Sequence, residues 1–186
     1  MTRLRDLDPA ALGDAAHEHV LGRILALVGA IDPAGDPAPI LAALGGRSEV
    51  RRCVAALAVY ARDGAPPEGR PELVREYLVS LVGAEMLPDD LDPDDEPDDD
   101  GPLADVHRVV LAVLARERLR DGEAVPSAWL AALASVTPAA VRQLIAGGEL
   151  RRWRAGDARG SRRAYVRADD ARRWLAARVV PGIAAS

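Results

Sequence analysis

Apolar residues recur at helical spacing in three stretches of the first 87 residues, which predicts amphipathic helices. Breaks rich in proline and glycine separate these stretches. A shorter helix from Pro39 to Leu44 is predicted between the first two. Residues 1–87 are therefore expected to form a small bundle of four helices. The apolar stripes are Leu21, Ile24, Leu25 and Val28; Val50, Val54, Leu57 and Ala61; and Leu73, Tyr77, Leu78, Leu81 and Val82.

The hydrophobic pattern stops at an acidic stretch, PDDLDPDDEPDDD, from Pro88 to Asp100. Nine of its thirteen residues are acidic and three are proline. Because like charges repel and proline interrupts helices, we expect an extended, solvated segment. The sequence thus predicts a linker at 88–102 between the helical bundle at 1–87 and a C-terminal domain at 103–186. The same acids could instead fold back on the arginine-rich C-terminal region and compete with a polyanion.

The first two helices after the linker are predicted as follows. Apolar residues from Val106 to Leu114 indicate an amphipathic helix that ends at Asp121-Gly122. We expect this helix to pack as an extra element against the domain that follows it. Ser127 to Ala134 forms a second, short helix with Trp129 on its apolar side.

The residues after Ala134 predict a turn and a new helix. Ser135-Val136 forms a tight turn. Thr137 then serves as N-cap, with Pro138 in the first helical position. The helix continues to Ala146 and stops at Gly147-Gly148. Two short helices joined by such a turn form a helix-turn-helix, whose second helix enters the major groove of DNA.

A β-hairpin wing is predicted next. Leu150 to Arg154 and Arg162 to Arg167 suit strands, and the glycine-containing residues between them suit a loop. So many guanidinium groups on one hairpin repel each other unless a polyanion is near. The wing arginines are Arg151, Arg152, Arg154, Arg159, Arg162, Arg163 and Arg167. A closing helix, capped by Asp169-Asp170, is expected to bury Trp174 and Leu175.

The order of these short motifs resembles the winged helix-turn-helix DNA-binding domains of the MerR and excisionase type, over roughly residues 125–178. The chain departs from the family pattern at the turn, where Ser135 stands in place of the usual glycine. A residue other than glycine at that point implies backbone strain. The matching residues are Ala131, Val136, Thr137, Pro138, Val141, Gly148, Glu149, Leu150, Tyr165, Asp170 and Trp174.

The composition, rich in the strong helix formers alanine and leucine, favours a mainly α fold, and the resemblance implies a DNA-binding function. The N-terminal helical bundle and acidic linker precede a winged helix-turn-helix with one short β-hairpin. On the recognition helix, 137–146, Arg142 suits guanine and Gln143 suits adenine. The wing, 150–167, is expected on the phosphate backbone or in the minor groove. The predicted DNA-binding residues of the helix are Thr137, Ala139, Ala140, Arg142 and Gln143, and the seven wing arginines complete the set.

Charge is distributed unevenly along the chain. The net charge is −5, but residues 123–186 carry 11 arginines and 5 acids, while residues 1–122 carry 13 arginines and 24 acids. A charge of +6 in the last third favours a nucleic-acid partner there. All basic residues are arginine and none is lysine.

The remaining residue types exclude several functions. Cys53 is the only cysteine, so no internal disulfide can form, and we expect it to be buried. His17 and His19 do not share a helix face, so no metal site is predicted. No phosphate loop, nucleophile elbow or paired-carboxylate pattern appears. We expect no enzymatic activity, no cofactor and no membrane span, and a cytoplasmic, nucleoid-associated location.

The expected function is therefore a bacterial or phage transcription regulator, or an excisionase-like architectural factor, that binds duplex DNA. One such domain buries little DNA surface, so useful affinity calls for two copies. Self-association is expected through the N-terminal helices. The alternative is an interaction adaptor whose basic winged domain binds an acidic protein or RNA.

Overall fold

The computed structural model describes residues 3–31, 36, 38–39, 49–83, 102–153 and 164–183. Within these residues the chain is mainly helical, with a small three-stranded antiparallel sheet. The helices are α1 (Pro9–Ile31), α2 (Glu49–Asp63), α3 (Pro71–Gly83), α4 (Pro102–Arg120), α5 (Ser127–Ala134), α6 (Pro138–Ala146) and α7 (Ala168–Ala176). The strands are β1 (Val125–Pro126), β2 (Arg152–Trp153) and β3 (Tyr165–Val166), and short 3₁₀ turns lie at Leu4–Asp6 and Pro67–Gly69.

The three long N-terminal stripes form α1, α2 and α3, as predicted. Helix α1 begins at Pro9, and Asp8 Oδ1 accepts a hydrogen bond from Ala10 N–H at 2.9 Å, which satisfies a free amide of the first turn. The predicted helix at Pro39–Leu44 lies outside the described residues, apart from its first residue. The acidic segment Pro88–Asp100 also lies outside them.

Helix α4 is the centre of the molecule. It packs against α1 and α2 on one side, and against α5, α7 and β1 on the other. Val106, Val109, Val110 and Val113 are at most 1% exposed. Residues 109–113 are all buried, so the middle of α4 is covered on every side, as expected for a helix segment that is apolar all round.

One hydrophobic core consequently spans both parts of the chain. It extends from Leu4 to Leu175 and includes residues of α2, α4 and α5. The sequence predicted that α4 would pack on the C-terminal elements, and it does. The division into units at 1–87 and 103–186 stays a prediction. Helix α4, which the sequence places in the second unit, also packs against the N-terminal helices α1 and α2.

The buried Arg116 joins α4 to the end of α2. Its side chain donates from Nε and from one terminal nitrogen to the Ala61 carbonyl, both at 3.0 Å, and is 4% exposed. The carbonyls at a helix C-terminus have no partners within the helix, so Arg116 satisfies one that would otherwise be buried unpaired. Gly64 and Gly182 meet beside it; a Cβ atom built on Gly64 would lie 2.9 Å from the Gly182 Cα atom. This close approach seats the C-terminal segment over the end of α2.

The sheet corrects the prediction of a single hairpin. β2 and β3 pair as expected, with Arg152 opposite Val166 and Trp153 opposite Tyr165. β1 pairs with the other edge of β3, which gives the strand order β1-β3-β2. β1 has only two residues, one of them proline, so it shows no alternation of apolar and polar positions from which the sequence could predict a strand.

The start of α7 also differs from the prediction. The sequence predicts Asp169-Asp170 as the cap of this helix, but Arg167 is the N-cap residue and provides no side-chain hydrogen bond. The two aspartates lie in the first helical turn, where negative charge interacts favourably with the helix dipole. They pair with Arg172 and Arg173, one turn further along the helix.

Candidate nucleic-acid interface

Helices α5 and α6 form a sharply bent pair. Residues 135–137 separate them, and the two helices are bent by 117° at this break. Val136 N–H donates to the Ala131 carbonyl at 3.0 Å, and Ser135 N–H donates to the Ala132 carbonyl at 3.2 Å. These two bonds form a Schellman motif, which ends a helix with a residue in the left-handed conformation.

Ser135 is that left-handed residue, with φ 54° and ψ 45°. Glycine is the usual residue in this conformation, because a side chain is disfavoured at this φ. The serine hydroxyl has a contact of its own. Ser135 Oγ accepts a hydrogen bond from Leu4 N–H at 3.1 Å, across 131 positions of sequence.

The start and end of α6 agree with the prediction. Thr137 is the N-cap, and its Oγ1 accepts a hydrogen bond from Ala140 N–H at 3.2 Å. Pro138 occupies the first helical turn. At the other end Gly148 has φ 79°, and Glu149 N–H donates to the Leu144 carbonyl at 3.0 Å. The helix is therefore fixed at both ends by its own sequence.

One face of α6 is buried and the opposite face is exposed. Val141 is fully buried, and Leu144 and Ile145 are half-buried against the core. The opposite face is a stripe at positions i, i+3, i+4 and i+7, which lie together on an α-helix. This stripe, called here the reading face, consists of Ala139, Arg142, Gln143 and Ala146, all exposed.

Two other predicted contact residues of α6 lie beside the reading face. Thr137 is exposed at its N-terminal end, while Ala140 is half-buried at its edge. The structure thus brings together the helical site residues named from the sequence, with Ala140 the least accessible of them.

Only the base of the predicted wing lies within the described residues, and the name wing base is kept for residues 150–153 and 164–167. Arg151, Arg152 and Arg167 are exposed there. Arg154, Arg159, Arg162 and Arg163 lie outside the described residues. The rings of Trp153 and Tyr165 pack edge to face, with centroids 6.0 Å apart. The two rings therefore pack against each other across the paired strands β2 and β3.

The wing base follows closely on α6. Leu150 is buried, and its N–H donates to the Leu144 carbonyl at 3.3 Å. β2 begins two residues later at Arg152. The chain therefore leaves α6 and enters the hairpin without a flexible connection, which fixes the position of the wing base relative to the end of the helix.

Sequence reasoning missed a set of arginines on the other side of the turn. An open cleft of about 470 Å³ lies between the N-terminal turn, the end of α2, residues 133–136 and residues 178–181. We call it the basic cleft, and its charged lining residues are Arg3, Arg5, Arg62, Asp63 and Arg178. No local motif marks these residues, because they come together only in the folded chain.

Nothing in the described ranges builds a metal centre. They contain no group of three or more histidine, cysteine, aspartate or glutamate side chains placed to hold an ion. Cys53 is fully buried, and burial raises the pKa of its thiol to about 12. A neutral, inaccessible thiol is a poor nucleophile.

Among the described residues no single helix is both long and apolar enough to cross a bilayer. Helices α5 and α6 meet that test only when they are taken together across their bend. No family model matches the chain, and no match was found among curated proteins or among solved structures.

Proposed function

We propose that the chain is a non-enzymatic, sequence-specific duplex-DNA-binding protein, a transcription regulator or an excisionase-like architectural factor. In this proposal α5 and α6 act as a helix-turn-helix, α6 enters the major groove, and the hairpin is the wing. The reading face of α6 is the observation that carries the proposal. It combines two small residues, which permit close approach to the groove, with Arg142 and Gln143, which can pair with base edges.

The geometry of the helix pair supports the same function. A bend of 117° across a three-residue break falls within the range of about 90–120° and three to four residues that is typical of helix-turn-helix units. Helix α5 is anchored in the core through Leu130 and Leu133, both at most 2% exposed. A rigid support of this kind lets α6 present its exposed face as one unit.

The test is a selection of duplexes from a randomised library, followed by affinity measurements on the selected sequence. Arg142→Ala should relax the preference at one base pair, normally a guanine, and lose about 1–3 kcal/mol of discrimination there. Arg75→Ala is the matched control, because Arg75 is an exposed arginine on α3. If Arg142→Ala and Arg75→Ala select the same sequences as the wild type, α6 does not read DNA.

Arg151 and Arg152 test the wing in a different way. Phosphate contacts carry no sequence information, so their joint replacement by alanine should weaken binding to every duplex alike. The slope of log affinity against log salt should become less steep by about 0.9 for each phosphate that the variant no longer neutralises. An altered base preference in this variant would instead place the wing base in a groove, on base edges.

We also propose that two copies assemble on DNA through the exposed end of α1. Residues 24–30 of this helix contain no charged side chain, and Leu27 is 65% exposed. Mass measurement in solution should give a dimer for the full chain and a monomer for Leu27→Glu. A monomeric wild type at the concentrations where DNA is bound would remove α1 as the association surface.

A further inference from the structure

The N-terminal turn lies directly on the turn between α5 and α6. Leu4 is 6% exposed, and its N–H donates to Ser135 Oγ. Arg3 and Arg5, on either side of Leu4, are exposed. Because the buried leucine and the hydrogen bond fix the backbone between them, the two arginines are held beside Ser135 instead of moving freely at the end of an arm.

The basic cleft has an excess of positive charge. Four arginines and one aspartate line it. Arg62 is neutralised within the cleft, because it forms two hydrogen bonds with Asp63 at 2.8 and 2.9 Å. The charge that remains comes from Arg3, Arg5 and Arg178. Positive charges that line a concave surface attract anions strongly.

The remaining arginines are only weakly compensated. Arg5 Nε lies 3.6 Å from Asp6 Oδ1, and both side chains are more than half exposed, so this ion pair contributes little. The Arg178 guanidinium lies over the Trp174 ring, 4.0 Å from its centroid. This stacking uses the flat face of the guanidinium, while its N–H donors point outward in the plane of the group.

The basic cleft adjoins the end of α6 that enters the groove first. Ser135 lines the cleft, and Thr137, two residues later, is the exposed N-cap of α6. Their Cα atoms are at most about 7.6 Å apart, because consecutive Cα atoms are ~3.8 Å apart. In helix-turn-helix complexes the N-terminal residues of the second helix contact base edges, and the first helix crosses the sugar-phosphate backbone. The cleft therefore lies where that backbone is expected to run.

We infer that the basic cleft binds the phosphodiester backbone of the same duplex that α6 reads, so that the N-terminal turn is part of the DNA interface. The inference rests on the proposed function. It also gives Ser135 a second role, because its hydroxyl positions Arg3 and Arg5 beside the recognition helix, which a glycine at that position could not do.

The lining of the cleft favours backbone phosphate over a nucleotide ligand. No aromatic ring is among its lining residues, so a nucleobase would have no stacking partner. Free inorganic phosphate and the DNA backbone both present anionic phosphate oxygens. The experiment therefore has to distinguish binding of free phosphate from binding of the DNA backbone.

The test compares two full-length variants that lose the same charge. Arg3→Gln with Arg5→Gln removes two exposed arginines of the cleft. Arg70→Gln with Arg75→Gln removes two exposed arginines near the start of α3. Affinity for the selected duplex and for an unrelated duplex is measured from 50 to 300 mM salt. Far-UV circular dichroism and melting temperature confirm that both variants are folded.

The cleft variant should bind both duplexes about tenfold or more weakly near 0.1 M salt, with a salt slope less steep by about 1.8, while the control variant behaves like the wild type. If both variants match the wild type, the inference is wrong and the proposed function stands. If the wild type binds no duplex, the proposed function itself fails.

A second arm examines free phosphate. If millimolar inorganic phosphate raises the melting temperature of the wild type but not of the cleft variant, and DNA affinity is the same for both, the cleft is a small-anion site and the inference is overturned. Loss of DNA affinity in the cleft variant alone supports it.

Discussion

Replacing Ser135 with alanine and, separately, with glycine isolates two opposing contributions of this residue. Both variants remove the hydroxyl that accepts the hydrogen bond of Leu4 N–H. Because Leu4 is buried, its amide is then left without that partner, at a cost of about 1–3 kcal/mol. Only the glycine variant also relieves the left-handed conformation at φ 54°, which is disfavoured by roughly 1–2 kcal/mol for a residue with a Cβ atom.

The expected order of stability follows from these two effects. Ser135→Ala keeps the strain and loses the bond, so its free energy of unfolding should fall by about 1–3 kcal/mol. Ser135→Gly should be more stable than Ser135→Ala by about 1 kcal/mol, since the relief of strain is partly offset by the extra freedom of glycine in the unfolded chain.

Urea unfolding followed by far-UV circular dichroism measures this difference. With an m-value of about 2 kcal/mol per molar urea, a gap of about 1 kcal/mol separates the two midpoints by roughly 0.5 M. Equal midpoints would refute the assignment of strain to Ser135. An alanine variant as stable as the wild type would refute the contribution of the hydrogen bond to Leu4.

Three other predictions concern stability and reactivity. Val179 is β-branched but has φ 55°, and its side chain is 86% exposed. Val179→Gly should therefore relieve backbone strain and raise the free energy of unfolding by about 0.5–1 kcal/mol, and a lower stability in urea would contradict this. Arg116→Lys cannot reproduce the paired donors to the Ala61 carbonyl and should lower the unfolding free energy by about 2 kcal/mol, whereas an unchanged midpoint would show that one ammonium donor suffices. Cys53 should resist a thiol reagent at pH 8 until urea unfolds the chain, and prompt labelling of the native chain would overturn its assigned burial. Because folding raises the pKa of this thiol from near 9 to about 12, its contribution to the free energy of unfolding is complete below pH 9 and is lost as the pH rises toward 12.

The sequence predicts α6 well because every signal for it is local. Thr137, Pro138 and the glycine pair at 147–148 lie within the helix or next to it, and each acts through the backbone of its own turn. The alternation of buried Val141 with exposed Arg142 and Gln143 likewise depends only on helical periodicity. Such features need no knowledge of the rest of the fold.

The features that the sequence did not reveal depend on distant contacts. The bond from Leu4 to Ser135 joins residues 131 positions apart, and the basic cleft combines the two ends of the chain with α2. The acidic segment before α4 predicts a domain boundary there, yet α4 also packs against α1 and α2 from the other side of that segment. Periodicity identifies the apolar positions of α4 but not the helices that cover them.

We propose that this chain binds duplex DNA through α6 and its arginine-rich surroundings. Fluorescence anisotropy of a labelled duplex, titrated with the full chain at several salt concentrations, tests it most directly. We expect binding at low salt and a linear fall of log affinity with log salt, with a slope of about −0.9 for each phosphate contacted. Absence of binding to any duplex at 50 mM salt, or tighter binding to an RNA of the same sequence, would contradict it.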